Sequence, residues 1–284
     1  MAVSRAPFGT RLVAGAEGAR ATSRFGYRPA ALGRATAEQP PALIAVAHGS
    51  RDPRSATTVS AAVAAVATAR PDLDVRTAFL DLNAPSVEQV VDSLAAQGHT
   101  HAVVTPLLLG SAFHARVDLP GLLDAARTRH PQLRLTQAEV LGADSLLIGA
   151  LRDRVLAACD VGSAPADRRI GVAVAAVGSS SAAANARTAE VAARLAARTG
   201  WLTEICFATA EPSVSEAISR LYARGAHHAL VAPWFLAPGL LADHLLHAAP
   251  QVVHTDVLGA HPALTAVILD RYHTAIAETP ALSA

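Results

Sequence analysis

The chain is poor in cysteine, in excess charge and in long apolar runs. Its two cysteines, Cys159 and Cys206, form no CxxC pair. A disulfide framework, a zinc knuckle and a cysteine-held iron–sulfur cluster are therefore not signalled, and a reducing cytoplasm is the expected compartment. Basic residues number 24 and acidic residues 23, a net charge of +1. That balance lacks the basic excess of a dedicated nucleic-acid binder. No apolar stretch approaches the ~20 residues that span a bilayer, so neither nucleic acid nor membrane is an expected partner. What remains, with 51% hydrophobic and 17% charged residues over 284 positions, suits a compact globule of two ordinary domains.

Residues 1–40 stand apart. They carry six arginines and two acids among Ala, Gly and Ser, without a sustained period. No apolar stretch of signal-peptide length is present there, and the amphipathic pattern of a transit peptide is weak. The expectation is a disordered N-terminal extension.

The most informative feature is an internal duplication. LIAVAHGSR (Leu43–Arg51) is answered by IGVAVAAVGS (Ile170–Ser179), and VVTPLLLGSAFH (Val103–His114) by LVAPWFLAPGLL (Leu230–Leu241). Gly49 to Pro106 is 57 residues, and Gly178 to Pro233 is 55. Between these landmarks, NAPSVEQVVDSLAAQGHTHAVVTP (Asn83–Pro106) is tracked by AEPSVSEAISRLYARGAHHALVAP (Ala210–Pro233). In this alignment His48 meets Val177 and His114 meets Leu241.

From residue 42 onward short β-rich runs alternate with helical patterns. The first half offers strands over Leu43–Ala47, Val75–Leu80, Ala102–Leu108 and Leu133–Ala138. The second offers Ile170–Ala175, Leu202–Ala208, Ala229–Leu236 and Val252–Val257. Val59, Val63 and Val66, then Val87, Val90, Val91 and Leu94, recur at helical spacing, as do Val191 with Leu195 and Val214, Ile218 and Leu221. Pro53, Pro85 and Pro120 mark helix starts, and Gly98 a helix end. Such alternation predicts an α/β chain of two tandem Rossmann-like domains with parallel sheets, at residues 41–160 and 168–280.

In open parallel sheets ligands collect at the carboxyl ends of the strands. His48 follows the first strand, Asp81 the second and His114 the third, each 33 residues from the next. Two imidazoles and a carboxylate suit Fe²⁺, Co²⁺, Ni²⁺ or Zn²⁺, and the same groups accept protons near neutral pH. Because the second copy lacks both histidines, they read as site rather than scaffold. Asp81 also has a local reading as a turn-forming aspartate. Ser50, Arg51 and Arg54 enter a helix N-terminus, which favours an anionic ligand, and Arg116 adds a cation beside His114. The remaining histidines, including His244 with His247 and the pair His227–His228, lack accompanying cysteines or regularly placed acids and read as surface groups.

At AHGSRDPRSA (Ala47–Ala56), FLDLNAPSVEQ (Phe79–Gln89) and PLLLGSAFHARVDLP (Pro106–Pro120) the chain resembles the sirohydrochlorin chelatase family. These are the CbiX-like class II chelatases, which insert cobalt or iron into a modified tetrapyrrole without ATP. The resemblance covers about residues 42–280 and implies the long tandem form, with a catalytic first domain and a degenerate second one. It implies that His48 and His114 bind the incoming metal and assist pyrrole deprotonation. Asp81 stands where the family commonly has glutamate, one methylene longer. It implies no tightly bound cofactor, a divalent metal substrate (Co²⁺ or Fe²⁺), a place in cobalamin or sirohaem synthesis, and a cytoplasmic enzyme whose fused halves complete a crevice as a monomer. Arg51, Arg54 and Arg116, with Ser50, would face the eight carboxylates of the tetrapyrrole. Phe113, Leu107–Leu109, Trp234, Phe235 and Leu236 would give its macrocycle an apolar wall.

Two rivals remain. A histidine phosphatase would resemble an Arg-His-Gly pattern, whereas Ala47 precedes His48. A non-catalytic metal-delivery or tetrapyrrole-binding protein could share the fold.

Overall fold

A computed structural model of the chain describes residues 39–110, 118–160 and 169–278. The N-terminal segment singled out above falls, up to residue 38, outside the described residues, as do Phe113, His114 and Arg116. The first half runs β1 (Ala42–Ala47), α1 (Pro53–Ala69), β2 (Val75–Phe79), α2 (Val87–Ala96), β3 (His101–Pro106), α3 (Leu119–Arg129), β4 (Arg134–Gln137) and α4 (Ser145–Asp160). The second repeats the order with β5 (Ile170–Ala176), α5 (Ala182–Thr199), β6 (Leu202–Phe207), α6 (Val214–Ala223), β7 (His228–Pro233), α7 (Leu240–Ala248), β8 (Val253–His254) and α8 (Pro262–Ala277).

Each half builds a four-stranded, wholly parallel sheet, in the orders β2-β1-β3-β4 and β6-β5-β7-β8. The central strands read as continuous apolar runs because both faces are covered by helices: all six residues of β1 are buried. The helix faces follow the apolar spacing, with Val59, Val63 and Val66 buried on α1 and Val87, Val90, Val91 and Leu94 on α2. Asp52 caps α1 ahead of Pro53, and Ser86 and Gln89 form a capping box on α2. The last strand is shorter than its sequence pattern. Only Val253 and His254 pair with β7, and Val253 is an exposed edge residue.

The two halves share one core. Helix α8 packs on β3 and β4 of the first sheet and against α1, while α4 packs on β7 and α5 of the second half. Each half therefore closes its neighbour's sheet with its own last helix. Leu147, Leu151 and Val155 of α4 join Val267, Ile268 and Tyr272 of α8 in the same buried cluster as β1 and β5. Polar ties follow the exchange. Arg271 on α8 donates to the carbonyls of Val140 and Leu141 and pairs with Asp144 at 2.9 Å. The Tyr272 hydroxyl donates to the Pro41 carbonyl at 2.7 Å, and Arg154 on α4 donates to the Leu258 carbonyl. No helix among the described residues is long and apolar enough to cross a membrane.

Candidate active site

The chain crosses over between β2 and β3, so the ends of β2, β1 and β3 lie side by side. The loop after β1 and the loop after β2 are joined by backbone bonds that continue the strand register. Leu80 N–H donates to the Ala47 carbonyl at 2.9 Å, and Asp81 N–H to the His48 carbonyl at 3.0 Å. His48 is exposed at the end of a fully buried strand. Gly49, with φ of +99°, then turns the chain away. A Cβ there would lie 1.8 Å from the Asp81 carbonyl oxygen, so the close approach of the two loops requires glycine on steric as well as torsional grounds.

Asn83 completes the cradle and was not singled out by the sequence. Its Oδ1 accepts from the Ser50 amide at 2.7 Å. The Ser50 hydroxyl accepts in turn from Asp52 N–H at 3.1 Å, in the turn that opens α1. Asp81 is exposed at the sheet edge, and its Oδ1 accepts from Leu82 N–H at 2.7 Å, where Leu82 has a φ of 63°. The aspartate thus makes the local turn bond while its carboxylate stays at the strand-end surface. Among the described residues no three His, Cys, Asp or Glu side chains form a group able to hold a metal ion. His114, the third member of the sequence-derived set, is outside those residues.

The arginines differ in their surroundings. Arg51 is exposed beside Ser50. Arg54 is clasped: its Nε and Nη2 donate to the Asp52 carboxylate, and Nη2 also donates to Asp243 of α7. The Arg54 guanidinium, and then its amide, hold the Asp52 carboxyl below the usual range, while the two carboxylates raise the Arg54 pKa.

The second half repeats the scaffold with different side chains. Thr209 N–H donates to the Val177 carbonyl at 2.9 Å, which fixes Thr209 as the counterpart of Asp81 and Val177 as that of His48. Gly178 (φ +93°) matches Gly49, and Ser179 accepts from Ser181 N–H as Ser50 does from Asp52. The connection after the third strand is not a residue-for-residue copy. His130 and Ala249 close α3 and α7 with equivalent bonds, to Ala126 and Leu245. Yet 24 residues separate Pro106 from His130 and only 16 separate Pro233 from Ala249. Matched from its C-terminal end, α7 therefore starts level with Gly121, and the connection in the second half is shorter. Leu241, aligned with His114 by sequence, sits in the first turn of α7.

Three apolar side chains are exposed at this edge. Val177 is 44% exposed, Leu240 68% and Leu241 37%. Two residues proposed for the macrocycle wall are placed otherwise: Leu107 and Trp234 lie in the common core, because their amides extend the β-ladder onto Val46 and Ala175 and turn the side chains inward. Phe235 and Leu236 remain partly exposed. A groove of about 450 Å³ opens between the β6–α6 loop and α7, lined by Thr209, Glu211, Ser213 and His244 among others. Glu211 there is occupied by the Ser213 amide at 2.7 Å. Other histidines serve local structure: His261 caps α8, and His247 and His254 meet backbone carbonyls.

Comparison with known proteins bears on this duplicated edge. The CbiX family profile matches twice, over residues 42–158 and 171–275. A sirohydrochlorin cobaltochelatase of Priestia megaterium is 26% identical over 244 residues, covering 81% of this chain and 78% of the relative. A sirohydrochlorin ferrochelatase of the same organism is 28% identical over 247 residues, covering 82% and 90%. SirB from Bacillus subtilis, solved with Fe³⁺, superposes with a TM-score of 0.70 at 25% identity, covering 83% of this chain and 95% of that one. Two matched copies, one with the histidine-bearing edge and one without, place the chain in the CbiX family.

Proposed function

We propose that the protein inserts a divalent metal, cobalt or iron, into sirohydrochlorin without ATP. Relatives named for each metal are about equally similar to this chain, and both ions suit the same imidazole and carboxylate donors. The observation that carries the reading is His48, exposed at the strand-end edge where the other copy has Val177, on a loop locked by Gly49, Asn83 and the Asp81 amide.

Insertion exchanges M²⁺ for two pyrrole protons. A site for it needs a perch that holds the ion loosely and a group that takes protons. A neutral imidazole does either: its unprotonated nitrogen ligates a metal or receives a proton from the macrocycle. His48 is assigned this role, together with His114 on the sequence argument, and Asp81 is assigned as the adjoining carboxylate. An open set of two imidazoles and a carboxylate leaves coordination positions for the pyrrole nitrogens, whereas a closed thiolate site would retain the ion. Arg51 and Arg54 are assigned to peripheral carboxylates of the substrate, and Val177, Leu240 and Leu241 to the macrocycle face.

Anaerobic incubation of metal-free sirohydrochlorin with Co²⁺ or Fe²⁺ tests the proposal through absorbance. The expected result is a rate above uncatalysed insertion for at least one metal. Tight binding of metal or tetrapyrrole with no rate above background would favour the metal-delivery alternative instead.

A further inference from the structure

Arg54 belongs to the first half, and one of its two carboxylate partners belongs to the second. The guanidinium has five N–H donors and two edges that fit a carboxylate bidentately. Its Nε/Nη2 edge lies on Asp52, whose side chain is 8% exposed and which is itself fixed as the cap of α1. Asp243, in the first turn of α7, takes Nη2 alone through Oδ2. Nη1 makes no hydrogen bond among the described residues. The Nη1/Nη2 edge is therefore half used, by a carboxylate that is 38% exposed.

The contact lies at the site rather than on a remote surface. Arg54 is six residues beyond His48, and Gly239, which precedes α7, stands so close to the β1–α1 loop that a Cβ on it would be 3.9 Å from the Ser50 hydroxyl. Leu240 and Leu241 begin the same helix. The chain contains no lysine, so the permanent cations that a substrate carboxylate meets here are guanidinium groups, with Arg54 and the exposed Arg51 on the same loop and helix start.

We infer that Asp243 is an internal competitor for the substrate: it occupies on Arg54 the edge that a tetrapyrrole carboxylate takes, and it is displaced when the substrate docks. This inference rests on the function proposed above. Displacement requires no loss of the Asp52 contact, since Nε donates to Asp52 and not to Asp243. Arg54 thus stays aimed by its buried partner while its outer partner exchanges. The second half would then contribute an acidic group that sets how strongly a carboxylate ligand must bind before the crevice accepts it.

The test is the affinity of the full chain for metal-free sirohydrochlorin, titrated anaerobically by absorbance, alongside KM and kcat for insertion. Asp243→Asn and Asp243→Ala are expected to tighten Kd and lower KM by about two- to fivefold, the range of an exposed charge pair, with kcat nearly unchanged. In an Arg54→Gln background the same changes are expected to have no effect on Kd. A merely structural bridge would leave Kd unchanged or weaken it while lowering the melting temperature, and that result overturns the inference. So does an equal gain in affinity with and without Arg54, which would indicate general charge repulsion. A wild-type protein that binds no sirohydrochlorin would overturn the proposed function itself, a distinct failure visible before any variant is compared.

Discussion

The amide of Asp81 donates to the carbonyl of His48 at 3.0 Å, and the amide of Thr209 donates to the carbonyl of Val177 at 2.9 Å. One backbone bond is thus conserved in geometry between the two halves while the side chains on it change from imidazole and carboxylate to isopropyl and hydroxyl. The bond is scaffold, and the side chains are what the second half has given up.

Glycine at position 49 makes that bond possible. Gly49→Ala would set a methyl group against the Asp81 carbonyl and force a left-handed φ on alanine. The torsional term alone costs about 1–2 kcal/mol, so a loss of more than about 2 kcal/mol is expected together with a fall in insertion rate. Gly178→Ala meets the Phe207 and Ala210 Cβ atoms and the Thr209 hydroxyl at 3.0–3.1 Å instead. It is expected to lower stability with little effect on the rate. Thermal melts and insertion assays on both variants distinguish the two roles.

Asp81 separates into a backbone and a carboxylate contribution. Asp81→Ala keeps the bond to His48 and loses the carboxylate and its bond to Leu82 N–H. A fall in insertion rate no larger than that of a histidine variant is expected, with stability lowered by about 1 kcal/mol at most. Asp81→Glu is expected to retain most activity if the carboxylate meets the metal. Equal losses in both variants would assign Asp81 to the turn alone.

The exchanged helices predict that neither half is self-sufficient. Arg271→Met removes the bonds from α8 to Val140, Leu141 and Asp144 and is expected to cost about 1–3 kcal/mol. Residues 40–160 expressed alone would expose the face of the first sheet that α8 covers and the face of α4 that packs on the second half. Self-association or unfolding is expected, and a stable monomer by sedimentation would contradict the shared core.

Stability is expected to fall in alkali. Burial raises the Tyr272 hydroxyl from 10.0 to about 12 and the Cys206 thiol from 9.0 to about 12. Both acids release their protons first in the unfolded chain, which then binds fewer protons than the folded one. Their contribution is complete below pH 9, declines from there, and is lost as the pH passes about 12. Tyr272→Phe should flatten the part of that decline above pH 10, in melting curves taken across the range.

Much of this was legible in the residues. The strand and helix periods fell where the sheets and helix faces lie, because apolar spacing is a local record of burial: Val87, Val90, Val91 and Leu94 are all buried on α2. The last strand is shorter than its pattern, since Val252–Val257 has a strand-like composition but finds only a two-residue pairing at the sheet edge. Counting from strand to strand places His48 and Asp81 at one sheet edge, where both are exposed. The contacts of Asn83, Asp52 and Asp243 have no such signal. The first two act through backbone contacts that loops alone decide, although Asp-Pro at a helix start does signal a cap. The third meets Arg54 across 189 positions of sequence. The helix exchange was equally invisible, because periodicity states that a face is buried and not against which sheet. Local similarity sets His114 against Leu241, and the helix ends show that the connection in the second half is shorter.

The central claim is that His48 belongs to the chemistry and not to the scaffold. Its most direct test is the anaerobic rate of Co²⁺ and Fe²⁺ insertion into sirohydrochlorin by wild-type protein and His48→Ala, with melting temperatures measured on the same preparations. Because His48 is exposed at the strand end, the account predicts a rate lowered by about tenfold or more with a nearly unchanged melting temperature. A His48→Ala protein that inserts metal at the full rate would contradict it.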